Sequence, residues 1–133
     1  MTTVNEVMHI IDDVDEELIF ERITFKEKFT VGIISGNKYL SINSCVFEQG
    51  FELNTIQNDR IQLRNCVFNG DLAIKDCSTH EFEMWGNKIN QYGTVINLEV
   101  KYLMVMWENE VAEGYHLIFR TPIIKAIVIT HNK

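Results

Sequence analysis

Proline is nearly absent and cysteine scarce: the 133 residues hold one Pro and three Cys. Three thiols with no CxxC and no Cys/His spacing make no zinc motif. An odd number also suits a reducing compartment better than a disulfide framework. No apolar run approaches the roughly eighteen residues of a membrane-spanning helix. The acidic N-terminus carries no early Lys or Arg of the kind a signal peptide needs. A cytosolic protein with no membrane contact is expected. Motifs of chemistry are missing too. The four histidines, His9, His80, His116 and His131, form no HExxH. No Ser, His and Asp fall at motif spacing, and there is neither a GxGxxG nor a P-loop. No catalytic group, cofactor or metal is implied.

Bases are outnumbered, giving a net charge of −7, and the imbalance is local. Residues 1–27 hold eight acids (Glu6, Asp12, Asp13, Asp15, Glu16, Glu17, Glu21, Glu27) against Arg22 and Lys26. The remaining 106 residues are close to neutral, with eleven acids and ten bases. Phosphate contacts need a basic face, so nucleic acid is not an expected partner. A basic protein surface is the electrostatic complement of the acidic end. The same acids also suit a cap that keeps the edge of the first strand from pairing with other chains.

What the chain does have is a repeat. Six copies of one pattern start at Phe20, Ile42, Leu63, Met84, Met106 and Ile129, spaced by 22, 21, 21, 22 and 23 residues. Typical copies read Ile42-Asn-Ser-Cys45-Val-Phe47 and Met84-Trp-Gly-Asn87-Lys-Ile89. A fixed period of this size signals a solenoid. Two positions before each copy stands an apolar residue: Leu18, Leu40, Ile61, Phe82, Met104 and Ile127. A step of two is strand periodicity. A second such step reads Phe51/Leu53, Leu72/Ile74, Ile96/Leu98 and Leu117/Phe119, and a looser third column contains Ile56, Cys77 and Ile123. Repeats built from helix pairs would show i, i+3, i+4 spacing instead, and Val, Ile, Phe and Thr dominate these runs. Turn residues at Gly36-Asn37, Asn69-Gly70-Asp71 and Glu113-Gly114 separate them. Each repeat is expected to hold two or three short strands, stacked in parallel about 4.8 Å per coil.

The pattern resembles the right-handed parallel β-helix, the architecture of pectate-lyase-like proteins, over residues 18–133. In that architecture an inward Asn commonly stacks at a bend. Ile23, Cys45, Cys66, Asn87, Asn109 and Asn132 form such a column here, apolar in its first half and amide in its second. The resemblance implies an all-β solenoid of about six coils, with residues 1–17 as an acidic cap. Cys45 and Cys66 share the column in adjacent coils, near enough for a disulfide, although buried free thiols are the expectation.

The cap can be read in two ways. Thr3-Val-Asn-Glu6 fits a capping box, with Val4, Val7, Met8 and Ile11 on one helical face. Val7–Ile11 also fits a covering strand. A short helix or irregular cap is the expectation. At the other end the chain stops within its sixth coil, leaving an open edge that Lys133 and His131 would have to blunt. Homodimerisation through this C-terminal coil is the corresponding expectation.

A β-helix that cleaves carbohydrate should cluster carboxylates on one outward column. The outward columns read Glu21, Asn43, Arg64, Trp85, Trp107, Thr130 and Arg22, Ser44, Asn65, Gly86, Glu108, His131, and a third reads Thr24, Val46, Val67, Lys88, Glu110. None collects acids, and the loops are short, so catalysis is not expected. The informative pair is Trp85 and Trp107, equivalent positions on adjacent coils with Glu108 and Glu110 nearby. Such a pair serves as an interface anchor, or else it packs under the cap or a loop. The expected function is a non-catalytic, protein-binding module. Its type would be an inhibitor or immunity protein that blocks a basic partner, such as a toxin or a bacterial defence nuclease. The contacts would be Trp85, Trp107, Glu108 and Glu110 together with Asp12, Asp13, Asp15, Glu16 and Glu17. A self-assembling structural solenoid and a carbohydrate-binding or carbohydrate-cleaving β-helix are the alternatives.

Overall fold

A computed structural model describes residues 1–132, and these contain strands and bends but no helix. All strand pairings are parallel. They form one sheet of six strands and one of eleven. The result is a parallel β-solenoid of about six coils, as the sequence period predicts.

Each coil has four short sides. The first is the six-stranded sheet, Thr2–Val4, Ile23–Phe25, Val46–Phe47, Val67–Phe68, Lys88–Ile89 and Glu110–Val111. The second holds Met8–Ile11, residues 29–32 and 51–54, Leu72–Lys75, Gly93–Ile96 and Leu117–Arg120. The third is shorter, from 34–35 to Ile123–Ile124. The fourth is the longest flat side: Glu17–Glu21, residues 39–43, 60–64, 81–85 and 103–107, and Ile127–His131.

Alternation along these strands sends every second side chain inward, and equivalent residues stack from coil to coil. Phe25, Phe47 and Phe68 lie on one another at 5.2 Å with nearly parallel rings, and Phe29 stacks on Phe51 at 5.5 Å. All five are fully buried, and each contributes on the order of 1.5–3 kcal/mol through burial. The bends have their own rows. Arg22, Ser44, Asn65, Gly86 and Glu108 turn the chain from the fourth side into the next coil. Asp12, Ile33, Thr55, Asp76, Asn97 and Thr121 turn it from the second side to the third. Every member is left-handed, with φ between 51° and 60°.

The expected inward column turns the first of these bends. Asn87 Nδ2 donates to Leu63 O at 2.9 Å and Asn109 Nδ2 to Met84 O at 2.9 Å, while the Cys66 amide donates to Asn87 Oδ1 at 3.0 Å. A second, shorter polar row lies at the bend between the third and fourth sides. There Asn58 Nδ2 and Thr79 Oγ1 donate to the carbonyls of Arg60 and Glu81, each two residues on.

Four local expectations change. Thr2–Val4 and Met8–Ile11 form strands rather than a helix, because Met8 and Ile10, a step of two, cover Phe29 and Val31. On the second side the fifth coil contributes Gly93 and Val95, not Ile96 and Leu98. A Cβ at Gly93 would lie 2.7 Å from Leu117 Cδ1 and 3.4 Å from Leu72 Cδ2, so neighbouring leucines fill the place of its missing side chain. Leu98 joins Ile34, Ile56 and Cys77 in the buried third column, and Ile123 points outward. The last copy is displaced by one residue. Leu103 pairs with Ile127, Val105 with Ile129 and Trp107 with His131, so Ile127 and Ile129 face outward while Val128 and Thr130 take the inward rows. Lys133 lies outside the described residues.

Candidate interaction face

The fourth side carries three outward rows. They run Glu17, Tyr39, Arg60, Glu81, Leu103, Ile127; then Ile19, Ser41, Gln62, Glu83, Val105, Ile129; then Glu21, Asn43, Arg64, Trp85, Trp107, His131. His131, not Thr130, follows the two tryptophans, a consequence of the shifted last coil.

From the middle coils onward each row changes from polar or charged residues to apolar or aromatic ones. The middle coils are held by ion pairs. Arg60 Nε meets Glu81 Oε2 at 2.8 Å. The buried Glu83 receives Gln62 Nε2 at 2.7 Å, with Arg64 Nη2 3.5 Å away. Glu81 and Glu83 are therefore engaged by bases from the preceding coil. Nearer the N-terminus the Tyr39 hydroxyl donates to Glu17 Oε1 at 2.7 Å, and this bond raises the pKa of the phenol.

Past Glu83 the surface is apolar. Trp85 and Trp107 lie side by side with ring centroids 6.2 Å apart, and the guanidinium of Arg64 sits 5.4 Å from the Trp85 ring. His131 continues the row, 4.9 Å from Trp107, and its Nε2 meets Glu108 Oε1 at 3.1 Å. Neither indole is covered by the N-terminal segment, which lies at the other end of the rod, and Trp85 is 39% exposed. Leu103, Val105, Ile127 and Ile129 fill the two rows alongside. Val105, flanked by Leu103, Trp107, Glu83 and Ile129, is only 5% exposed although it faces outward, whereas Ile127 is 71% exposed. Sequence reading missed these four aliphatic residues as surface. Their signal was the unbroken apolar runs Leu103-Met-Val-Met-Trp107 and Ile127-Val-Ile129, which put apolar side chains on both faces of a strand.

The other expected contacts are dispersed. Glu108 lies beside the tryptophans. Glu110 lies on the first side, next to Lys88 in register, around the bend from them. Val46 and Val67 are on that first side as well. Asp12, Asp13, Asp15, Glu16 and Glu17 are all at the N-terminal edge. Asp13 Oδ1 accepts the Asp15 amide at 2.7 Å, and Glu16 Oε2 lies 3.4 Å from Lys38 Nζ. Glu17 and Glu21 share the fourth side with the tryptophans. Glu21 and Trp85 are three coils apart in one row, about 14 Å.

The three cysteines are buried and free. Contact with Cys45, together with burial, pushes the Cys66 thiol up, and burial pushes Cys77 up to about 11. No group of His, Cys, Asp and Glu among the described residues is arranged to hold a metal ion, and no helix among them is long and apolar enough to cross a membrane. The core opens at the C-terminal end into a cavity of about 530 Å³ lined by Met104, Met106, Leu117, Phe119 and Ile124 among others. The class these features define is a short parallel β-solenoid with one flat, partly apolar side. No protein-family model, curated protein or solved structure matches the chain.

Proposed function

We propose that this is a non-catalytic protein-binding module of the inhibitor or immunity type, docking its fourth side on a partner with a basic surface. The observation that carries the reading is the apolar block formed by Trp85, Trp107, Leu103, Val105, Ile127 and Ile129 on a stacked, preorganised sheet. A contiguous apolar patch rimmed by polar residues is the usual character of a docking surface, and paired aromatics are its typical anchors. A rigid rod orders few side chains on binding and so loses little entropy. On the same side Glu17 and Glu21, backed by Asp12, Asp13, Asp15 and Glu16, supply negative charge about three coils away. A partner with an apolar spot beside a cationic one would engage both.

The test begins with recovery of a stoichiometric partner from lysate with the tagged chain, followed by affinity measurements on variants. Trp85→Ala combined with Trp107→Ala should weaken binding by about 2 kcal/mol, roughly thirtyfold. Asp15→Lys with Glu16→Lys should slow association and flatten its salt dependence. Binding unchanged by both pairs would refute the reading.

A further inference from the structure

We propose that copies of this chain associate head to tail, the open edge of the sixth coil pairing in parallel with the open edge of the first coil of the next copy. Among the described residues both edges present backbone groups paired on one side only. At the N-terminal edge these belong to Thr2–Val4, Met8–Ile11 and Glu17–Glu21. At the C-terminal edge they belong to Glu110–Val111, Leu117–Arg120, Ile123–Ile124 and Ile127–His131. Such edges are templates for further strands. Within the rod every strand presents one edge to the coil before and the opposite edge to the coil after. A tail can therefore meet a head with the same parallel pairing, whereas two tails would meet antiparallel.

Side-chain rows continue across the junction. Leu117 and Phe119 stand in the inward rows that begin with Met8 and Ile10, and Val128 and Thr130 stand in those that begin with Leu18 and Phe20. The half-buried Met8, Ile10 and Phe20 of one copy would close the cavity of about 530 Å³ that the last coil of the other leaves open.

Charge selects this arrangement over the alternatives. Residues 1–27 carry eight acids and two bases. The described part of the sixth coil, residues 110–132, balances Glu110 and Glu113 against Arg120 and Lys125, so the tail carries no net charge where the head is strongly acidic. The complementarity is local, at Arg120, His131 and Lys125, whereas the Ile127 row begins at Glu17 and the Glu110 row at Thr3. The Arg120 row begins at Ile11, beside Asp12. The His131 row begins at Glu21. Lys125 lies at the bend between the third and fourth sides, which in the first coil is the acidic segment 13–16. Two heads would place acids on acids, and two tails would set Arg120 and Lys125 against their own copies. Opposite potentials steer and register association. A head-to-tail contact is heterologous, so it propagates rather than closing at a dimer.

The junction shares the head acids Asp15, Glu16, Glu17 and Glu21 with the docking face but spares the tryptophans on the flank of the rod, so the tryptophan pair separates the two readings. Sedimentation of the full chain should show a mean mass that climbs past the dimer with concentration and falls as salt screens the ends. Arg120→Glu with Lys125→Glu reverses the tail, and Asp15→Lys with Glu16→Lys reverses the head. Each variant alone should remain monomeric where the wild type assembles, while an equimolar mixture of the two should assemble again, which also shows that both are folded. Trp85→Ala with Trp107→Ala should assemble like the wild type. A wild-type mass that stays monomeric at every concentration, a closed dimer that survives both reversals, or a mixture that fails to assemble would each overturn the proposal.

Discussion

Asn87 donates its side-chain amide to the Oδ1 of Asn109 at 3.0 Å, and Asn109 repeats the contact on Asn132 at the same distance. The Asn87 backbone amide also donates to Asn109 Oδ1, at 3.2 Å. Each buried amide thus ties its own coil to two others and satisfies backbone groups at a bend where strand pairing cannot reach them. Asn109→Ala would leave Met84 O, the Asn87 side-chain amide and the Asn87 backbone amide without that partner. A buried donor or acceptor so orphaned costs about 1–3 kcal/mol, and a loss of about 3 kcal/mol or more is expected in urea denaturation. Asn90→Ala, which removes a surface bond of 2.8 Å to Asn69, should cost less than about 1 kcal/mol. Equal losses would mean that the ladder is not a stabilising device.

Gly70 is required for space rather than for conformational freedom. A Cβ built there would lie 1.1 Å from Gln49 O, a backbone atom of the preceding coil. Gly36 is the reverse case, with φ +81° and nothing within 4 Å. Gly36→Ala should therefore cost only the left-handed penalty, about 1–2 kcal/mol. Gly70→Ala forces two coils apart, and a loss of more than about 4 kcal/mol or failure to fold is expected. Thermal or urea unfolding of the two variants side by side decides it. A smaller loss at Gly70 than at Gly36 would contradict the stacking of 49 on 70.

How far each feature could be read from the sequence depended on whether its residues differ in kind between the two faces of a strand. Leu40-Ser-Ile42 and Ile61-Gln-Leu63 alternate, so their inward rows were plain, and with them the period, the Asn column and the adjacent tryptophans. Ile127-Val-Ile129 is apolar on both faces, and the last coil is displaced by one residue as a result. Gly93 carries no side chain to mark its row, and Ile96 and Leu98 drew the pattern to themselves. At the N-terminus, Val4, Val7, Met8 and Ile11 fit a helical stripe. The step from Met8 to Ile10 prevails because an open strand edge and a phenylalanine row are waiting to be covered. The left-handed bends were not legible, since Ile33, Thr55 and Thr121 are residue types that rarely adopt that backbone.

Ile33 makes the last point testable. It sits at φ 54° and is 53% exposed, with a branched Cβ crowded against its own carbonyl and little burial in return. Asp12, Asp76 and Asn97 hold the same place in other coils and tolerate it better. Ile33→Asn should raise stability by about 1 kcal/mol, seen as a rise in Tm of about 4 °C. A fall in Tm would show that the exposed isoleucine packs more usefully than its surface suggests.

Cys77 ties stability to alkaline pH. It is enclosed between Ile56 and Leu98 in the third column, and burial lifts its thiol from 9.0 to about 11. The folded state therefore holds the proton more tightly than the unfolded chain does. Its contribution is fully present below about pH 9 and is lost as pH rises through the folded value, because above pH 9 the unfolded chain gives up a proton that the folded one keeps. Two pH units correspond to about 2–3 kcal/mol. Tyrosines and lysines titrate in the same range, so the comparison has to be with a variant. Cys77→Val keeps an apolar residue in an apolar column and removes the proton. Urea midpoints should then show wild type losing about 2 kcal/mol more than Cys77→Val between pH 9 and pH 11. Parallel losses in the two proteins would place the alkaline sensitivity elsewhere and mean that the Cys77 thiol is reachable by water in the folded rod.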